Sequence, residues 1–449
     1  MKAAIETLGC RVNIYDSEAM TELFANDGYE IVSFSDAADV YVINTCTVTN
    51  MGDKKSRQLI SRARRQNPQA VVCVVGCYSQ VAPDEIAALE GVDVVLGSRN
   101  KSQVVELVNR SLATGEQLVE VSDIAVDHEF EELQISNYSD RTRAFLKIQD
   151  GCNRFCTYCM IPYARGGISS KKPDQVISEI RLLAQHGFAE IILSGIHIAS
   201  YGLDQPIAPK GILLDGHKRT PLIDLLEEIE AVPEIRRVRI GSIDPMFFNG
   251  DQLTRIKSLT KLAPHFHLSL QSGSDRILQK MNRRYTTREF AYVVAELRKT
   301  LPGVNITTDL ITGFPGETEG DHLATLDFLK QLKLTKTHVF KYSPRAGTPA
   351  AIMPDQIDPG VKDQRSLELV DLSDHHEALF HQAMIGTVCE VLFEGGEGDV
   401  QRGFTPNFVE VKVQTRDHLK GKLLPVEITG SSVHFCWGRV GHDTESLNK

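Results

Sequence analysis

Three closely spaced cysteines follow an apolar, strand-like run near the middle of the chain. The segment GCNRFCTYC places Cys152, Cys156 and Cys159 in a C-x3-C-x2-C spacing directly after residues 144–148. Three thiolates on one loop can reach the same metal centre with little loop-closure cost. Because a four-iron cluster normally takes four thiolates, three leave one iron open for another ligand, as catalytic metal sites require. The alternatives are buried free thiols and a zinc site, although zinc sites usually pair two C-x2-C units.

The longer segment GCNRFCTYCMIPYARG resembles the signature of the radical S-adenosylmethionine (SAM) enzymes. The resemblance implies that the three cysteines hold a [4Fe-4S] cluster whose open iron binds SAM. In that family one electron from the cluster cleaves SAM and produces a 5′-deoxyadenosyl radical. The aromatic residue that the family has before the third cysteine is Tyr158 here, and the resemblance implies that it lies against the adenine.

Length and composition limit the class of protein. With 449 residues the chain is too long for one hydrophobic core, so about two to four domains are expected. No apolar run approaches the roughly 18 residues that span a membrane, and the first residues lack the apolar core of a signal peptide. Nine cysteines grouped in motifs indicate metal ligation in a reducing compartment, so we expect a cytoplasmic protein without a membrane partner. The net charge of −10 means that nucleic-acid binding would depend on local basic patches.

The first part of the chain alternates short apolar runs with helical patterns. The runs predict buried strands at 3–8, 40–43, 70–75 and 92–96. Helices are predicted between them, at 17–24 and 53–65. This alternation is typical of a doubly wound parallel α/β sheet, in which ligands bind at the carboxyl ends of the strands.

Cys10, Cys46 and Cys77 each come just after one of these strands. Since loops leave neighbouring parallel strands at the same sheet edge, the three thiols could share one cluster. The alternative is that they are buried cysteines, a common fate of this residue. The remaining cysteines lie inside a strand or lack partners at ligand spacing, and we expect them to be structural: Cys73, Cys389 and Cys436.

The segments TLGCRVN, INTCTVTNMGDKKSRQ and VGCYSQ, together with the radical SAM segment, resemble the methylthiotransferases, a branch of the radical SAM superfamily. The resemblance covers nearly the whole chain. It implies that residues 1–112 form a domain that binds a second [4Fe-4S] cluster through Cys10, Cys46 and Cys77. The basic helix at 53–65 either contacts phosphates or is a solvated face.

Residues 113–140 are acidic and poorly periodic, which predicts a linker. Strand and helix patterns alternate again over 141–370, with strands predicted at 144–148, 190–193, 237–240, 266–270, 304–307 and 338–340. Six strand–helix units favour a partial (βα)6 barrel with its active site at the carboxyl ends of the strands. The resemblance to the radical SAM core also implies such an open barrel. The segment 205–218 has no assignment.

Polar residues at these strand ends complete the predicted cofactor site. The resemblance implies that the turn after the second strand receives the SAM amino group. The residues implied to lie near SAM or the substrate are Tyr158, Ser194, Gly195, His197, Gln271, Arg283 and Asp309. His197, His265 and His267 are either acid–base residues or polar loop and core residues. No catalytic residue is predicted beyond the cluster ligands.

Residues 375–441 are predicted to form a small antiparallel β-barrel. A helix is predicted at 363–384, followed by short β-patterned runs at 387–393, 408–413, 423–428 and 434–437. The position and pattern resemble the TRAM domain, an RNA-binding module of these enzymes. Phe404, Phe408 and Trp437 either stack on bases or pack in the core.

The resemblance implies a transferase that acts on tRNA. INTCTVTNMGDKKSRQ, LSGIH and KYSPRAGTPA most resemble the bacterial subgroup that methylthiolates C2 of N6-threonylcarbamoyladenosine at tRNA position 37. The implied steps are SAM cleavage, C–H abstraction, sulfur insertion and methyl transfer from a second SAM. The implied partners are the tRNA anticodon loop, a sulfur donor and a reductant such as flavodoxin or ferredoxin.

Other functions remain open from the sequence. Relatives within the family act on isopentenyladenosine in tRNA or on an aspartate of a ribosomal protein. Plain methyl transfer by a radical SAM enzyme is disfavoured, because it needs no second, sulfur-delivering cluster. From a different class, a non-catalytic iron–sulfur or zinc protein that binds RNA would use all nine thiols structurally and would not cleave SAM.

Overall fold

The computed structural model of the chain describes residues 1–47, 50–126, 129–136, 138, 141–205 and 220–441. These residues form three units in chain order: a parallel sheet with helices, an incomplete parallel barrel and a small closed barrel. Residues 206–218, most of the unassigned sequence segment, lie outside the described residues. None of the described helices is long and apolar enough to cross a membrane.

The N-terminal unit is built on one parallel sheet. Its strands are β1 Lys2–Thr7, β2 Glu30–Ile31, β3 Val40–Thr45, β4 Val71–Gly76, β5 Val94–Leu96 and β6 Leu118–Glu120. Its helices are α1 Arg11–Asn26, α2 Asn50–Gln66, α3 Cys77–Val81, α4 Pro83–Ala87 and α5 Val104–Thr114. The strand order is β2-β1-β3-β4-β5-β6, and β3 and β4 are buried along their whole length, as expected for strands covered on both faces. The predicted doubly wound sheet is confirmed.

Two short strands and the start of α1 differ from the sequence prediction. The prediction lacks β2 and β6, which are two or three residues long and mostly exposed. The sequence predicts that helix α1 begins at residue 17, but the helix begins at Arg11. The prediction missed the first turns because they bury polar side chains. Asn13 donates hydrogen bonds to the carbonyl oxygens of Leu8 and Thr45, at 2.7 and 2.9 Å. A buried polar residue hides the apolar periodicity that predicts a helix.

The central unit is built from strands connected by helices. Its strands are β7 Arg143–Asp150, β8 Ser169–Ser170, β9 Glu190–Gly195, β10 Arg237–Ile240, β11 His265–Gln271, β12 Asn305–Thr312 and β13 Lys336–Lys341. Its helices are α6 Ile161–Arg165, α7 Pro173–Gln185, α8 Pro221–Glu230, α9 Gly250–Ile256, α10 Asp275–Lys280, α11 Thr287–Thr300 and α12 Glu319–Leu332. Short 3₁₀ turns in the described chain lie at Lys101–Gln103, Ile198–Ser200, Pro245–Phe247 and Pro349–Ile352.

The central strands form the predicted incomplete barrel. Within the described residues, six of them run parallel in the order β7-β9-β10-β11-β12-β13, and the two-residue β8 pairs antiparallel with β7. Two isolated parallel bridges, Val238 with Leu262 and Ile243 with Leu268, continue the curve from the β10 side to the β11 side. The partial (βα)6 barrel is therefore confirmed, with its open side between β7 and β13.

The C-terminal barrel follows the long helix α13 Pro359–Ala383. Its strands are β14 Val388–Glu397, β15 Val400–Phe404, β16 Glu410–Gln414, β17 Leu423–Ser431 and β18 Cys436–Val440. They close in the order β14-β15-β16-β18-β17 around a core that includes Val391, Phe393 and Cys436. The predicted small barrel is confirmed. It departs from the antiparallel pattern at one pair, because β16 and β18 run parallel.

The described part of segment 113–140 joins the cores of its neighbours. Strand β6 forms the edge of the N-terminal sheet, whereas Leu133, Ile135 and Tyr138 are buried in the hydrophobic core of the central unit. Tyr15 of α1 lies in the same core and donates a hydrogen bond to the carbonyl oxygen of Leu133 at 2.6 Å. The segment therefore ties the first two units together, and the domain boundaries stay predictions.

Candidate active site

The loop after β7 carries the contiguous triad, Cys152, Cys156 and Cys159. Gly151 opens the loop with a φ of +71°, and a Cβ there would collide with the carbonyl oxygen of Gly167. Glycine is needed where two backbones approach this closely. The N–H of Cys159 donates to the carbonyl oxygen of Cys156 at 3.0 Å, which turns the loop back on itself. The three thiols are thus held on one short, tightly folded loop.

Burial and a neighbouring cation set the chemistry of these thiols. Burial raises the pKa of Cys159 to about 12 and also raises the pKa of Cys152. The guanidinium of Arg283 donates to the Sγ of Cys156 at 3.5 Å. Thiols ligate metals as thiolates, so the raised pKa values of Cys152 and Cys159 mean that the positive charge of a metal would favour their ionised form. Three such thiols beside a cation fit an iron–sulfur cluster with one open iron.

The turn predicted to receive SAM lies beside this loop. Ser194 and Gly195 end β9, which pairs with β7. A Cβ on Gly195 would lie 2.9 Å from Oε1 of Gln149, so the turn approaches β7 closely. The same Oε1 accepts a hydrogen bond from the N–H of His197 at 2.7 Å. Gln149 therefore fixes the turn against the strand that leads into the cysteine loop.

His197 connects the cysteine loop with the end of β10. Its Nε2 lies 3.3 Å from Nε of Arg154 and 3.5 Å from Oδ2 of Asp244, and its Nδ1 lies 2.7 Å from Oγ of Ser200. Burial raises the pKa of Asp244, but the hydrogen bond with His197 and the charge of Arg283 outweigh burial and lower this pKa to about 2. An ionised Asp244 thus holds His197 and Arg154 in place.

Arg283 and Tyr158 also belong to the surroundings of the loop, and Gln271 lies at the end of β11. Arg283 donates to the carbonyl oxygen of Ser269 at 3.0 Å as well as to Cys156. Tyr158 packs edge-on against Phe314, and burial raises the pKa of its hydroxyl well above the ordinary value. Gln271 ends β11 with a φ of +73°. The structure therefore places Tyr158, His197 and Arg283 at the loop of the contiguous triad, whereas Ser194 and Gly195 line the cavity described below.

The dispersed triad, Cys10, Cys46 and Cys77, meets at the carboxyl edge of the N-terminal sheet. Cys10 precedes α1, Cys46 follows β3, and Cys77 begins α3 directly after β4. A Cβ on Gly9, which has a φ of +103°, would lie 2.8 Å from the Sγ of Cys46. Cys10 and Cys77 are close enough for their charges to interact. The donor set, three thiols on converging loops, also fits an iron–sulfur cluster.

Arg165 links the dispersed triad to the loop of the contiguous triad. This fully buried guanidinium donates to the Sγ of Cys77 at 3.2 Å. It also donates to Asp16 at 3.2 Å, to Asp150 at 3.0 Å and to the Oδ1 of Asn13. Asp150 is the last residue of β7, directly before the loop of the contiguous triad. The side chain of Arg165 therefore contacts both the dispersed triad and the start of that loop.

Asp16 is the centre of this buried network. Lys147 and Lys101 lie 2.5 and 3.2 Å from its carboxylate, in addition to Arg165. Burial raises the pKa of Asp16, but the charges of these three cations outweigh it and hold the pKa well below the usual range. Because Asp16 belongs to α1 and Lys147 to β7, the network fixes the N-terminal unit against the central unit.

A cavity of about 800 Å³ opens inside the incomplete barrel. All three units line it. The lining residues include Cys10 and Arg11 from the N-terminal unit, Ser194, Gly195, His265, His267, Asp309 and His338 from the central unit, and Phe404 and Phe408 from the C-terminal barrel. Its volume lies in the range of small-molecule sites, so it can hold a nucleoside.

Asp309 lies in this cavity rather than at the contiguous triad. Its Oδ2 is 3.1 Å from Nε2 of His267, whose Nδ1 is 2.9 Å from the hydroxyl of Thr307. His265 is 3.3 Å from the same hydroxyl, and burial lowers its pKa well below the ordinary value. His265 and His267 therefore belong to the cavity wall, whereas His197 belongs to the cofactor turn.

The aromatic residues of the C-terminal barrel divide into two groups. Phe404 and Phe408 stack on each other at 4.9 Å between ring centroids, and Phe408 also lies 4.4 Å from the guanidinium of Arg239 and 5.0 Å from the ring of His265. These two residues pack between units. Trp437, in contrast, is 39% exposed and open to other contacts.

Helix α2 presents basic residues next to the dispersed triad. Arg57 pairs with Glu85 at 2.8 Å, and Arg64 turns inward to pair with Asp93 at 2.6 Å. The exposed cations are Lys54, Lys55, Arg57, Arg62 and Arg65. They line a shallow groove that also includes Leu8, whose chain neighbour Gly9 lines the cavity. The basic groove therefore leads towards the candidate active site.

Sequence reasoning overlooked Arg165 and Asp244. Both directly follow signals that it used: Arg165 lies in the YARG end of the cysteine segment, and Asp244 lies in the turn after β10. A polar residue just past a predicted strand was the criterion applied to Gln271. The same criterion would have selected Asp244, whereas Arg165 can be recognised only from its burial.

Two family models match the chain. The model described as Uncharacterized protein family UPF0004 matches residues 2–97, and the model of the Radical SAM superfamily matches residues 146–329. The first range contains the dispersed triad and the second contains the contiguous triad.

The chain is also similar to known proteins over nearly its whole length. It is 41% identical over 442 residues to the threonylcarbamoyladenosine tRNA methylthiotransferase MtaB of Bacillus subtilis, covering 97% of this chain and 95% of the relative. It is 33% identical over 448 residues to the tRNA-2-methylthio-N(6)-dimethylallyladenosine synthase of Caldicellulosiruptor saccharolyticus, covering 97% and 92%.

Among solved structures, the fold is similar to that of the radical SAM methyltransferase TsrM from Kitasatospora setae. The TM-score is 0.55 at 15% identity, covering 78% of this chain and 77% of that chain. The similarity at this identity concerns the fold, and the family follows from the relatives above. The chain belongs to the radical SAM tRNA methylthiotransferase family.

Proposed function

We propose that this protein methylthiolates C2 of N6-threonylcarbamoyladenosine at position 37 of tRNA. The observation that carries the proposal is the shared cavity, which Cys10 of the dispersed triad and the cofactor turn beside the contiguous triad both line. The relative named for threonylcarbamoyladenosine is also more similar to this chain than the relative named for dimethylallyladenosine. Isopentenyladenosine in tRNA is the alternative substrate that the test below addresses directly.

The cofactors of this reaction are SAM and two [4Fe-4S] clusters, which when bound supply a carbon radical, sulfur and a methyl group. The cysteines proposed to hold the clusters are Cys152, Cys156 and Cys159 on one side and Cys10, Cys46 and Cys77 on the other. The residues proposed to bind SAM are Tyr158, Ser194, Gly195, His197, Gln271 and Arg283.

The protein residues bind, orient and exclude water. Asp244 fixes His197 and Arg154, and through them the loop of the contiguous triad. Thr307 and Asp309 hold the imidazole of His267 on the cavity wall, where we propose that it contacts the substrate base. The packed rings of Phe404 and Phe408 close one side of the cavity against water.

We infer that the tRNA stem lies along α2 while the modified base enters the cavity. Four exposed cations of α2 have no ion-pair partner among the described residues: Lys54, Lys55, Arg62 and Arg65. A helix of this length extends about 25 Å, enough to meet several successive phosphates. Since the whole chain carries a net charge of −10, such a local row of cations is what RNA binding requires.

Further partners complete the proposal. Reduction of the cluster needs a one-electron donor such as flavodoxin or ferredoxin, and repeated turnover needs a sulfur donor. We propose the cytoplasm as the site of action, because cysteines that ligate clusters or stay reduced, as proposed for all nine here, are typical of a reducing compartment.

The test is mass spectrometry of tRNA nucleosides from cells that lack this protein. We expect the methylthio form of threonylcarbamoyladenosine to disappear and to return on re-expression of the wild type but not of Cys156→Ala. If only the methylthio form of isopentenyladenosine changes, the substrate assignment is wrong. If all methylthio nucleosides are unchanged, tRNA is not the substrate.

A further inference from the structure

Arg11 stands apart from the other cations that line the cavity. It begins α1 directly after Cys10 and lines both the main cavity and a neighbouring cavity of about 400 Å³. Among the described residues no carboxylate forms an ion pair with its guanidinium, and the cation Arg143 lies close enough to repel it. Lys336, in contrast, is paired with Asp374 and Glu377 at 3.1 and 2.5 Å.

A half-buried guanidinium without a carboxylate partner loses hydration with no compensating charge, which has a cost in free energy. The cost is recovered when an anion binds, and Arg presents paired N–H donors that match a carboxylate in a bidentate arrangement. Arg143, the adjacent cation, is already neutralised by Glu190 and Glu394. The cavity therefore offers one guanidinium, that of Arg11, to an anionic group of the ligand.

The two substrate classes of this family differ in the charge of the group attached to N6 of adenine. The threonylcarbamoyl group carries a carboxylate, whereas the dimethylallyl group is a hydrocarbon. Both are attached to N6 of adenine, which lies on the same edge of the base as C2. A substrate whose C2 faces Cys10 therefore brings its N6 substituent close to the residue that follows Cys10 in the chain.

We propose that Arg11 binds the carboxylate of the threonylcarbamoyl group and selects this substrate over adenosines with an uncharged N6 substituent. The proposal rests on the proposed function. Substrate specificity would then lie in the first turn of α1, at the residue that directly follows the proposed cluster ligand Cys10. A hydrocarbon substituent in the same place would leave the guanidinium without a partner, which disfavours the competing substrate.

A phosphate of the tRNA is the other anion that could reach Arg11. The neighbouring cavity is strongly basic, since it is lined by Arg141, Arg143, Arg402 and Lys420 as well as Arg11. Both anions use the same chemistry, a two-oxygen acceptor for a guanidinium. They differ in one testable way: every tRNA carries the phosphate, but only the threonylcarbamoylated tRNA carries the carboxylate.

The experiment measures binding of three anticodon stem-loops that differ only at position 37, which carries threonylcarbamoyladenosine, isopentenyladenosine or adenosine. Dissociation constants are measured for the wild type, Arg11→Gln and Arg11→Lys, all with both clusters loaded. The matched control is Arg181→Gln, an exposed arginine of α7. For Arg11→Gln we expect the preference for threonylcarbamoyladenosine over adenosine to fall by about tenfold to a hundredfold. Affinity for the adenosine stem-loop should stay the same.

Two results would overturn the assignment of Arg11 to the carboxylate. Equal weakening for all three stem-loops would identify a phosphate contact. An unchanged preference would remove Arg11 from recognition. If Arg11→Gln lowers the iron content because Cys10 is disturbed, Arg11→Lys decides, since it keeps the charge and should retain part of the preference. A wild type that forms no methylthio-threonylcarbamoyladenosine at all would refute the proposed function instead, independently of the Arg11 variants.

Discussion

The contiguous and the dispersed triads offer the same ligands but obtain their geometry in different ways. The contiguous triad lies on one loop, which Gly151 folds tightly and which hydrogen bonds from Asn282 and to Met281 hold from outside. The dispersed triad depends on the register of three strands, which aligns Thr7 with Asn44 and Thr45 with Gly76. The cysteines of the first triad are thus close together in the sequence itself, whereas those of the second meet only when the N-terminal sheet is folded.

The two triads should therefore be disrupted by substitutions in different parts of the chain. A change in one residue of the cysteine loop alters the contiguous triad directly, with little effect on the sheet. The dispersed triad is exposed to changes in the sheet, in Gly9 and in the buried network around Asp16. We therefore expect that the two triads can be disabled separately, which the following predictions test.

The largest effect should come from removing one cysteine of each triad. Cys156→Ala should abolish both the cleavage of SAM to 5′-deoxyadenosine and methylthiolation, because the open-iron cluster is lost. Cys46→Ala should abolish methylthiolation but keep SAM cleavage. Each variant should retain roughly half of the wild-type iron, one four-iron cluster of two. The measurements are iron content, 5′-deoxyadenosine formation and nucleoside mass spectrometry.

The matched control is Cys73→Ala, which removes a thiol that is buried inside β4 and belongs to neither triad. Its iron content and both activities should stay at the wild-type level. The idea of separable triads fails if Cys46→Ala loses SAM cleavage together with methylthiolation.

The next largest effect concerns Arg165, the side chain that reaches both neighbourhoods. Arg165→Met should lower the free energy of unfolding by about 3–5 kcal/mol, because the buried carboxylates of Asp16 and Asp150 lose a partner. Urea unfolding of the cluster-free protein measures the change. Arg181→Met, on an exposed face of α7, should stay within about 0.5 kcal/mol of the wild type.

Arg165→Met also sharpens the comparison through its effect on the two activities. The guanidinium bonds directly to Cys77 but not to a cysteine of the contiguous triad. We therefore expect reconstituted Arg165→Met to lose methylthiolation more than SAM cleavage. Equal loss of both activities would mean that the network supports the two triads to the same degree.

The fold and the cysteines were accessible from the sequence because each depends on local patterns. Buried strands such as β3 and β4 read as continuous apolar runs, and the C-x3-C-x2-C spacing is visible within one segment. The structure confirms the three-unit architecture. It also brings Cys10, Cys46 and Cys77 to one edge of the sheet, as their positions after parallel strands predict.

The rest depends on contacts between distant parts of the chain. No local pattern shows that Arg165 meets Asp16, or that Phe408 packs on Arg239 of another unit. Asp309 was predicted near SAM or the substrate, and its pairing with His267 depends on the register between β11 and β12. Residue type and position after a strand predict the region of the fold in which a side chain lies. They do not predict which side chain it contacts there.

A smaller effect should follow from Gly9→Ala. Gly9 has a φ of +103°, and an added Cβ would lie 2.7 Å from the Cβ and 2.8 Å from the Sγ of Cys46. Strain of about 1–3 kcal/mol and displacement of Cys46 should reduce methylthiolation about tenfold, with SAM cleavage unchanged. Activity assays on the reconstituted protein measure both reactions.

Gly28→Ala separates the two causes in Gly9→Ala. Gly28 has a similar φ of +88° in the same unit, but nothing lies within 4 Å of its added Cβ. It should therefore show the backbone strain without the effect on Cys46. If both variants lose methylthiolation equally, strain in the N-terminal unit explains the loss and the contact with Cys46 does not.

The smallest effect concerns the acid sensitivity of the contiguous triad's surroundings. The pKa of Asp244 is about 2 in the folded protein, below its ordinary value of 3.8. A carboxylate with a lowered pKa stabilises the fold above the unfolded pKa, and this contribution is lost as the pH falls from about 4 to about 2. At neutral pH it amounts to at most about 2 kcal/mol. Asp244→Asn should therefore be less stable than the wild type at pH 6, and the two should converge towards pH 2.5.

Urea midpoints of the cluster-free proteins at several pH values test this prediction, since the difference between the two proteins cancels the titration of other carboxylates. A difference between wild type and Asp244→Asn that stays constant from pH 6 to pH 2.5 would show that the charge of Asp244 does not hold His197 and Arg154. The loop of the contiguous triad would then owe its shape to its backbone contacts and not to Asp244. The contrast with the dispersed triad, which depends on distant side chains such as Asp16, would be larger.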